Sequence, residues 1–145
     1  MKEYKIGYTA GTFDLFHIGH LNLLTQAKEK CDYLIVGVNA DELVQEYKGK
    51  KTNICAEDRA RIVGALKVVD EVHIMHSLDK VEAYKNYGFQ AVFIGDDWKG
   101  NERWTRTEKE LEPFGVKVEY LSHTDGISTT LIATKLLKGN KEDGK

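Results

Sequence analysis

The sequence lacks several features that would assign a protein to a class at once. No window approaches the roughly 20 consecutive apolar residues of a membrane span, and the N-terminus lacks the apolar run of a signal peptide. The 21 basic and 23 acidic residues leave a net charge of −2, so no excess of one sign calls for a nucleic acid or an anionic membrane. We therefore expect a cytoplasmic protein whose partners include neither nucleic acid nor a membrane.

Cysteine is scarce, and two common nucleotide-binding fingerprints are missing. We expect Cys31, on the apolar stripe of the first predicted helix, and Cys55, before a later helix, to be reduced thiols. No G-x-G-x-x-G follows the first predicted strand, which excludes a dinucleotide cofactor held in the usual way. The Gly49-Lys50-Lys51 segment lacks the upstream glycine of a Walker A loop, which excludes a P-loop enzyme.

Alternation of strands and helices is the pattern that is present. Five strand-like runs are predicted, at Tyr4–Thr9, Tyr33–Val38, Glu71–Met75, Ala91–Ile94 and Val116–Leu121. Helical patterns lie between nearly all of them, which predicts an α/β fold: a Rossmann-like, doubly wound, parallel five-stranded sheet with helices on both faces. We expect one domain over residues 1–137 and a flexible C-terminal tail over residues 138–145.

The segment from Ala10 to His20 joins the first predicted strand to the first predicted helix through a glycine-bearing turn. A helix start at the carboxyl end of a strand binds phosphates through unpaired N–H groups, and His17 and His20 would add two directional donors. Zinc ligation by the two histidines would need a third ligand that the neighbouring sequence does not supply. The two rings could instead cap the helix without taking part in any chemistry.

Three further segments are predicted near the same edge of the sheet. Asp97 and Trp98 follow the fourth predicted strand, and a second helix start with anion-binding character follows the fifth, at 128–130. After a short helical turn at 41–44, residues 47–53 are basic and without periodicity, which predicts a mobile loop. Arg59, near the start of the next helix, is expected to turn into the pocket.

Together these segments resemble the signatures of the cytidylyltransferase family within the nucleotidylyltransferase superfamily, whose fold carries the H-x-G-H motif. The resemblance runs from about Tyr4 to Leu136. It rests on Gly11-Thr12-Phe13-Asp14, His17-Ile18-Gly19-His20, Glu57-x-Arg59, Gly95-Asp96-Asp97-Trp98 and Gly126-Ile127-Ser128-Thr129-Thr130. It implies a homodimeric enzyme in which a phosphate monoester attacks the α-phosphorus of CTP, with Mg²⁺, releasing pyrophosphate. Glycerol 3-phosphate is the first expected acceptor.

The resemblance also implies roles for individual residues. The catalytic residues would be His17, His20, Lys48 and Lys50. The nucleotide would be bound by Gly11, Thr12, Phe13, Asp14, Gly19, Asp97, Trp98, Thr124, Gly126, Ile127, Ser128, Thr129 and Thr130. The acceptor would be bound by Lys48, Lys50, Arg59, Lys67 and His123. Asp14 is either a carboxylate on the magnesium side or a structural turn residue.

Two departures from the family pattern leave the acceptor open. His123 stands where the family usually has arginine, and either this change or a second one could signal another alcohol phosphate. The second is Lys67, which stands where one enzyme of the family carries arginine, although Lys67 could also be a solvated helix residue. Choline or ethanolamine phosphate is a second candidate acceptor, because Tyr47, Trp98 and Trp104 offer aromatic surface for a quaternary ammonium. Adenylyl transfer and non-catalytic regulation by a bound nucleotide are two further candidate functions, although adenylyl-transferring relatives usually carry I-S-S-x-x-x-R, which is absent here.

Overall fold

The computed structural model describes residues 2–122 and residue 132. Its five strands are β1 (Tyr4–Gly11), β2 (Cys31–Asn39), β3 (Glu71–Met75), β4 (Ala91–Gly95) and β5 (Lys117–Leu121). Its helices are α1 (Ile18–Lys30), α2 (Asp41–Lys48), α3 (Ala56–Gly64), α4 (Lys80–Tyr87) and α5 (Glu102–Leu111), with short 3₁₀ turns at Asp96–Trp98 and Glu112–Phe114. Apart from residue 132, the expected helix at the C-terminus, the tail and the residues from 123 to 130 lie outside the described residues.

The strands form one parallel sheet in the order β3-β2-β1-β4-β5. The chain first builds outward from β1 through β2 to β3 and then returns to the other side of β1 for β4 and β5. The strand order therefore reverses between β1 and β4, where α/β folds of this kind bind their ligands beyond the carboxyl ends of the strands.

Hydrophobic cores lie on both faces of the sheet, as the doubly wound prediction requires. Side chains alternate along each strand, so Leu34 and Val36 of β2 pack toward α1 and α3, whereas Ile35 packs on the opposite face with Trp104 and Leu111 of α5. The continuous apolar runs predicted as central strands are β2 and β4, the two neighbours of β1.

Several predicted boundaries differ from the structure, and two of the differences change the assignment of a segment. Cys31 opens β2 instead of lying on α1, because the pairing of Tyr4 with Cys31 extends the ladder to that residue. The helical turn expected at 41–44 continues to Lys48, because burial of Leu43 and Val44 stabilises a longer helix than the local pattern suggested. Gly49 ends it in the left-handed conformation, at φ +68°.

Both cysteines are free thiols, with Cys31 buried and Cys55 exposed. Over residues 2–122, no helix has the length and apolar character needed to cross a membrane.

Candidate active site

A cleft of about 530 Å³ opens at the carboxyl ends of β1 and β4, where the strand order reverses. The start of α1, the end of α2 and the segments that follow β3 and β4 supply its walls. It is lined by Ala10, Gly11, Thr12, Phe13, His17, Gly19, His20, Leu23, Asn39, Tyr47, Lys48, Leu78, Lys80, Ile94, Gly95, Asp97, Trp98, Arg103 and Trp104.

The turn between β1 and α1 is tight. Phe13 and Leu15 both have positive φ values, 53° and 48°, a backbone conformation that residues other than glycine rarely adopt. Such backbone is retained where the surrounding contacts impose it, often at functional sites. Here the turn delivers His17 to the first position before α1.

His17 and His20 close the start of α1 with a reciprocal capping box. The Nδ1 atom of His17 accepts a hydrogen bond from the N–H of Gly19 at 3.0 Å, and the backbone N–H of His17 donates to Nδ1 of His20 at 3.2 Å. Since both Nδ1 atoms act as acceptors, each neutral ring carries its proton on Nε2. The rings stack with centroids 3.8 Å apart, so the cap fixes two Nε2–H donors side by side.

The environment keeps both imidazoles neutral near pH 7. Burial lowers the pKa of His17, and it lowers the pKa of His20 to about 4. A positive charge on His17 or on Lys48 lowers the His20 pKa further, while Asp14 acts in the opposite direction. The site thus presents hydrogen-bond donors, together with the partial positive charge of the α1 N-terminus.

Hydrogen bonds connect the end of α2 to the turn after β1. The Nζ of Lys48 donates to Oγ1 of Thr12 at 3.4 Å, and that oxygen lies 3.1 Å from the hydroxyl of Tyr47. The side-chain amide of Asn39 donates to the same tyrosine hydroxyl at 3.0 Å. Lys48 consequently lies in the cleft, whereas Lys50 is exposed beyond Gly49 and does not line it.

Asp14 makes structural contacts at this place in the fold. Its side chain is 6% exposed, and its carboxylate accepts hydrogen bonds from the N–H groups of Asn53 and Ile54 and from the Asn53 side-chain amide, at 2.8 to 2.9 Å. These bonds hold the α2–α3 connection against the turn after β1. Asp14 is not among the residues that line the cleft.

Arg59 requires a correction, because it does not turn into the cleft. Its side chain is 1% exposed and its guanidinium donates to the carbonyl oxygens of Ile54, Thr12 and Asn39 at 2.7 to 2.8 Å. It also forms an ion pair with Asp41 at 2.5 Å. These contacts join the turn after β1, β2, α2 and α3 beneath the cleft, so Arg59 supports the elements that form the cleft walls and does not itself line the cleft.

The remaining predicted residues divide into two groups. Gly11, Thr12, Phe13, Gly19, Asp97 and Trp98 all line the cleft. Lys67 is exposed in the turn between α3 and β3, at the edge of the sheet opposite the cleft. His123, Thr124, Gly126, Ile127, Ser128, Thr129 and Thr130 lie outside the described residues.

Sequence reasoning missed two cations of the cleft, Lys80 and Arg103. The Lys80 ammonium lies 5.4 Å from the ring centre of Trp104, and the Arg103 guanidinium lies 5.4 Å from that of Trp98 and 5.9 Å from that of Trp104. Each looks like an ordinary charged helix residue in the sequence. Only the packing of α4 against α5 brings them together, so no local pattern could have signalled them.

The described residues do not build a resident metal site. No group of three or more histidine, cysteine, aspartate or glutamate side chains in residues 2–122 is arranged to hold a metal ion. Both histidine Nδ1 atoms are engaged in the helix cap, and Asp97 is the one carboxylate among the lining residues. Zinc ligation by His17 and His20 therefore gains no support from this part of the chain.

Comparison with known proteins agrees with this geometry. Residues 8–135 match the cytidylyltransferase-like family model. Glycerol-3-phosphate cytidylyltransferase of Bacillus spizizenii is 41% identical over 86% of this chain and 91% of that protein, and its counterpart in Bacillus subtilis is 36% identical over 88% and 94%. The bifunctional protein HldE of Geobacter metallireducens is 33% identical over 96% of this chain, which spans 28% of that protein.

Solved structures share the architecture. The lipopolysaccharide core biosynthesis protein of Thermoplasma volcanium superposes with a TM-score of 0.74 at 26% identity, over 84% of this chain and 99% of that one. Pantoate-beta-alanine ligase of Francisella tularensis, at a TM-score of 0.58 and 14% identity over 93% of this chain and 70% of that one, shares the fold alone. The family match, the extended identity and a histidine-capped helix start at the strand reversal lead to one conclusion: the chain belongs to the cytidylyltransferase-like family.

Proposed function

We propose that the protein transfers the cytidylyl group of CTP to glycerol 3-phosphate. An oxygen of the acceptor phosphate attacks the α-phosphorus of CTP and forms a new P–O bond, while the bond from that phosphorus to the bridging oxygen breaks. The products are CDP-glycerol and pyrophosphate. The proposal is supported by relatives named for this reaction, at 36% and 41% identity, and the observation that carries it is the pair of fixed Nε2–H donors of His17 and His20.

In this mechanism the two histidines stabilise charge and do not remove a proton. Their Nδ1 lone pairs are used by the α1 cap, so the nitrogen left for a ligand on each ring is a donor. Donors fixed before the reaction stabilise the charge that develops on the α-phosphoryl oxygens without reorganising. The acceptor phosphate is already an anion at neutral pH, so its attack requires no base.

Lys48 would add the full positive charge that the neutral histidines lack. Its ammonium lies beside Thr12, at the end of α2 that faces the start of α1 in the cleft. Asp97 and Trp98 follow β4 and line the cleft, and in this proposal they contact the nucleoside part of CTP, the role that the family resemblance implies.

Mg²⁺ is proposed to enter as the complex with CTP. Magnesium usually keeps water and phosphate ligands and takes only one or two carboxylates from a protein. The described cleft offers Asp97 for that purpose, while the Asp14 oxygens hold the α2–α3 connection. Assembly as a homodimer in the cytoplasm, which the resemblance implies, belongs to the same proposal.

The cleft is less suited to choline phosphate. A quaternary ammonium needs a free aromatic face, but Arg103 lies over Trp98 and Trp104, and Lys80 lies over Trp104. A third cation there would be repelled by the two that are present. The same two charges favour an acceptor that carries only negative charge.

The test is a pyrophosphate-release assay with Mg²⁺, either CTP or ATP, and a panel of acceptors that includes glycerol 3-phosphate, phosphocholine and phosphoethanolamine. We expect the highest kcat/KM for CTP with glycerol 3-phosphate. A preference for ATP would establish adenylyl transfer instead. Binding of CTP without turnover of any acceptor would contradict catalysis and favour a regulatory nucleotide-binding protein.

A further inference from the structure

Four side chains form a continuous hydrogen-bond network along one side of the cleft. The side-chain nitrogen Nδ2 of Asn39, at the end of β2, donates to the hydroxyl of Tyr47 at 3.0 Å. That hydroxyl lies 3.1 Å from Oγ1 of Thr12, to which the Lys48 ammonium also donates at 3.4 Å. All four residues line the cleft, and Lys48 is close enough to His20 to lower the pKa of its imidazole. The network therefore reaches the neighbourhood of the histidine pair.

The direction of each hydrogen bond in the network follows from the groups that form it. The Asn39 nitrogen can only donate, so the Tyr47 oxygen accepts and the Tyr47 hydroxyl hydrogen is left to donate to Thr12. A phenolic hydroxyl is more acidic than an aliphatic one, which favours the same direction. The Lys48 ammonium can only donate as well. Oγ1 of Thr12 thus accepts two hydrogen bonds, and the hydrogen of its own hydroxyl remains for a ligand in the cleft.

The backbone that carries this network is held by one buried group. Nη1 of Arg59 donates to the carbonyl oxygens of both Thr12 and Asn39, at 2.7 and 2.8 Å. The side chains of the same two residues are joined a second time through the Tyr47 hydroxyl. Because Thr12 and Asn39 are linked through their backbones and through their side chains, the Thr12 hydroxyl is oriented before a ligand arrives.

Two further observations indicate that the network serves a ligand as well as the fold. Asn39 is 4% exposed, yet its side-chain oxygen has no hydrogen-bond partner among the described residues. Buried side-chain oxygens are usually paired, and an unpaired one that lines a cleft is an acceptor available to a ligand. Tyr47 also places its ring centre 5.6 Å from the Lys48 ammonium. One tyrosine therefore holds both the Thr12 hydroxyl and the Lys48 charge.

We propose that Asn39 and Tyr47 are positioning residues, which direct the Thr12 hydroxyl hydrogen and the Lys48 ammonium at the phosphates of the nucleotide. This inference rests on the proposed function. Neither residue touches the reacting atoms: Asn39 orients Tyr47, and Tyr47 orients the two donors. Donors that are already oriented when negative charge develops on phosphate oxygens stabilise that charge without reorganising.

Tyr47→Phe tests the orienting hydroxyl, because it removes that group and keeps the ring beside Lys48. We expect kcat/KM for CTP to fall about 3- to 10-fold, the effect of losing one neutral hydrogen bond. The matched control is Tyr33→Phe, which removes a tyrosine hydroxyl that is bonded to Glu71 outside the cleft and should leave kcat/KM unchanged. Equal values of kcat/KM for the two variants would overturn the inference.

A double-mutant cycle shows whether Tyr47 acts through Thr12. In a Thr12→Val background no hydroxyl remains to be oriented, so Tyr47→Phe should lower kcat/KM for CTP by less than about twofold. In a Thr12→Ser background the hydroxyl is present again, and the full loss should return. Asn39→Ala should lower kcat/KM about threefold in the unmodified protein and have no further effect when combined with Tyr47→Phe. An equal loss from Tyr47→Phe in all three backgrounds would show that Tyr47 only supports the fold.

Calorimetric titration with CTP in the presence of Mg²⁺ repeats the cycle without an acceptor. We expect Kd for CTP to rise about threefold or more in Tyr47→Phe and to stay unchanged when the same substitution is made in the Thr12→Val background. This result without turnover of any acceptor would refute the proposed function and retain the orienting role of Tyr47. Turnover of glycerol 3-phosphate, with effects of Tyr47→Phe and Thr12→Val that simply add, would retain the proposed function and refute the inference.

Discussion

The two walls of the cleft are built differently. On the wall formed by the start of α1 and the end of α2, which we call the bonded wall, His17 and His20 are tied to the backbone by the cap of α1. Behind this wall, Asp14 accepts three hydrogen bonds and Arg59 donates to three carbonyl oxygens. On the opposite wall, formed by α4 and α5, the cations lie on aromatic rings with few hydrogen bonds of their own.

For the proposed reaction, this difference matters to the groups that would stabilise developing charge. Donors that stabilise a transition state must already be fixed when the charge develops, and the bonded wall meets that requirement. Groups that only recognise a substrate need to match its shape and charge. Changing such groups would alter substrate binding and leave the rate of the chemical step unchanged. Substitutions in the bonded wall test this division, from the largest expected effect to the smallest.

Arg59→Met should produce the largest loss of stability. It leaves the carbonyl oxygens of Thr12, Asn39 and Ile54 without their buried donor and breaks the ion pair with Asp41, which should lower the free energy of unfolding by about 3 to 5 kcal/mol. Urea unfolding measures this change in the free energy of unfolding. Arg61→Met, on the exposed face of α3, is the control and should cost under about 0.5 kcal/mol. A stable Arg59 variant with weakened acceptor binding would restore the substrate-binding role.

His17→Asn should abolish most of the activity while preserving the fold. Asparagine is also a good N-cap residue, so the start of α1 is retained, but the ring donor to the α-phosphate is lost. By analogy with oxyanion-hole deletions, kcat should fall about 10²- to 10³-fold. The exposed His76, changed to asparagine, serves as the control and should keep full activity. Comparable rates in the two variants would mean that His17 only caps the helix.

His20 should make the protein less stable in mild acid. The pKa of its imidazole is about 4 when the protein is folded and 6.5 when it is unfolded. Below pH 6.5, the imidazole therefore becomes protonated in the unfolded chain while it stays neutral in the folded chain. The stability that neutral His20 contributes to the folded state is fully present above pH 6.5. As the pH falls toward 4, the free energy of unfolding decreases by up to about 3 kcal/mol. His20→Gln keeps a capping side chain without titrating. Denaturation between pH 7 and 4 should show a shallower slope for this variant, and parallel curves would contradict the prediction.

Asp14→Asn distinguishes a structural carboxylate from a magnesium ligand. An amide cannot accept at both of its polar atoms, so at least one N–H of Asn53 or Ile54 loses its partner, at a cost of about 1 to 3 kcal/mol. The Mg²⁺ concentration that gives half-maximal activity should not change. Unaltered stability with a tenfold higher Mg²⁺ requirement would assign Asp14 to the metal.

The fold could be predicted from the sequence because its signals are local. Continuous apolar runs at 33–38 and 91–94 identified the inner strands, and all five strands were found. The extension of α2 to Lys48 was missed, since it depends on the burial of Leu43 and Val44, which the local sequence pattern does not reveal.

The site was predictable only where its residues are contiguous. His17 and His20 belong to one turn of helix, so their spacing fixes their proximity. Arg59 was misassigned because the direction of a side chain depends on acceptors up to 47 residues away. Lys80 and Arg103 were missed because they meet only when α4 and α5 pack together.

Lys48 and Lys50 test how far the bonded wall extends. Lys48→Ala should lower kcat/KM about tenfold, since it removes a charge that lies in the cleft beside Thr12. Lys50→Ala should lower it less than about fivefold, because an exposed ammonium interacts through water and is screened by salt. Both variants should unfold at the same urea concentration as the unmodified protein. If Lys50→Ala lowers kcat/KM as much as Lys48→Ala does, the segment beyond Gly49 must close over the substrates. The bonded wall would then extend past the end of α2.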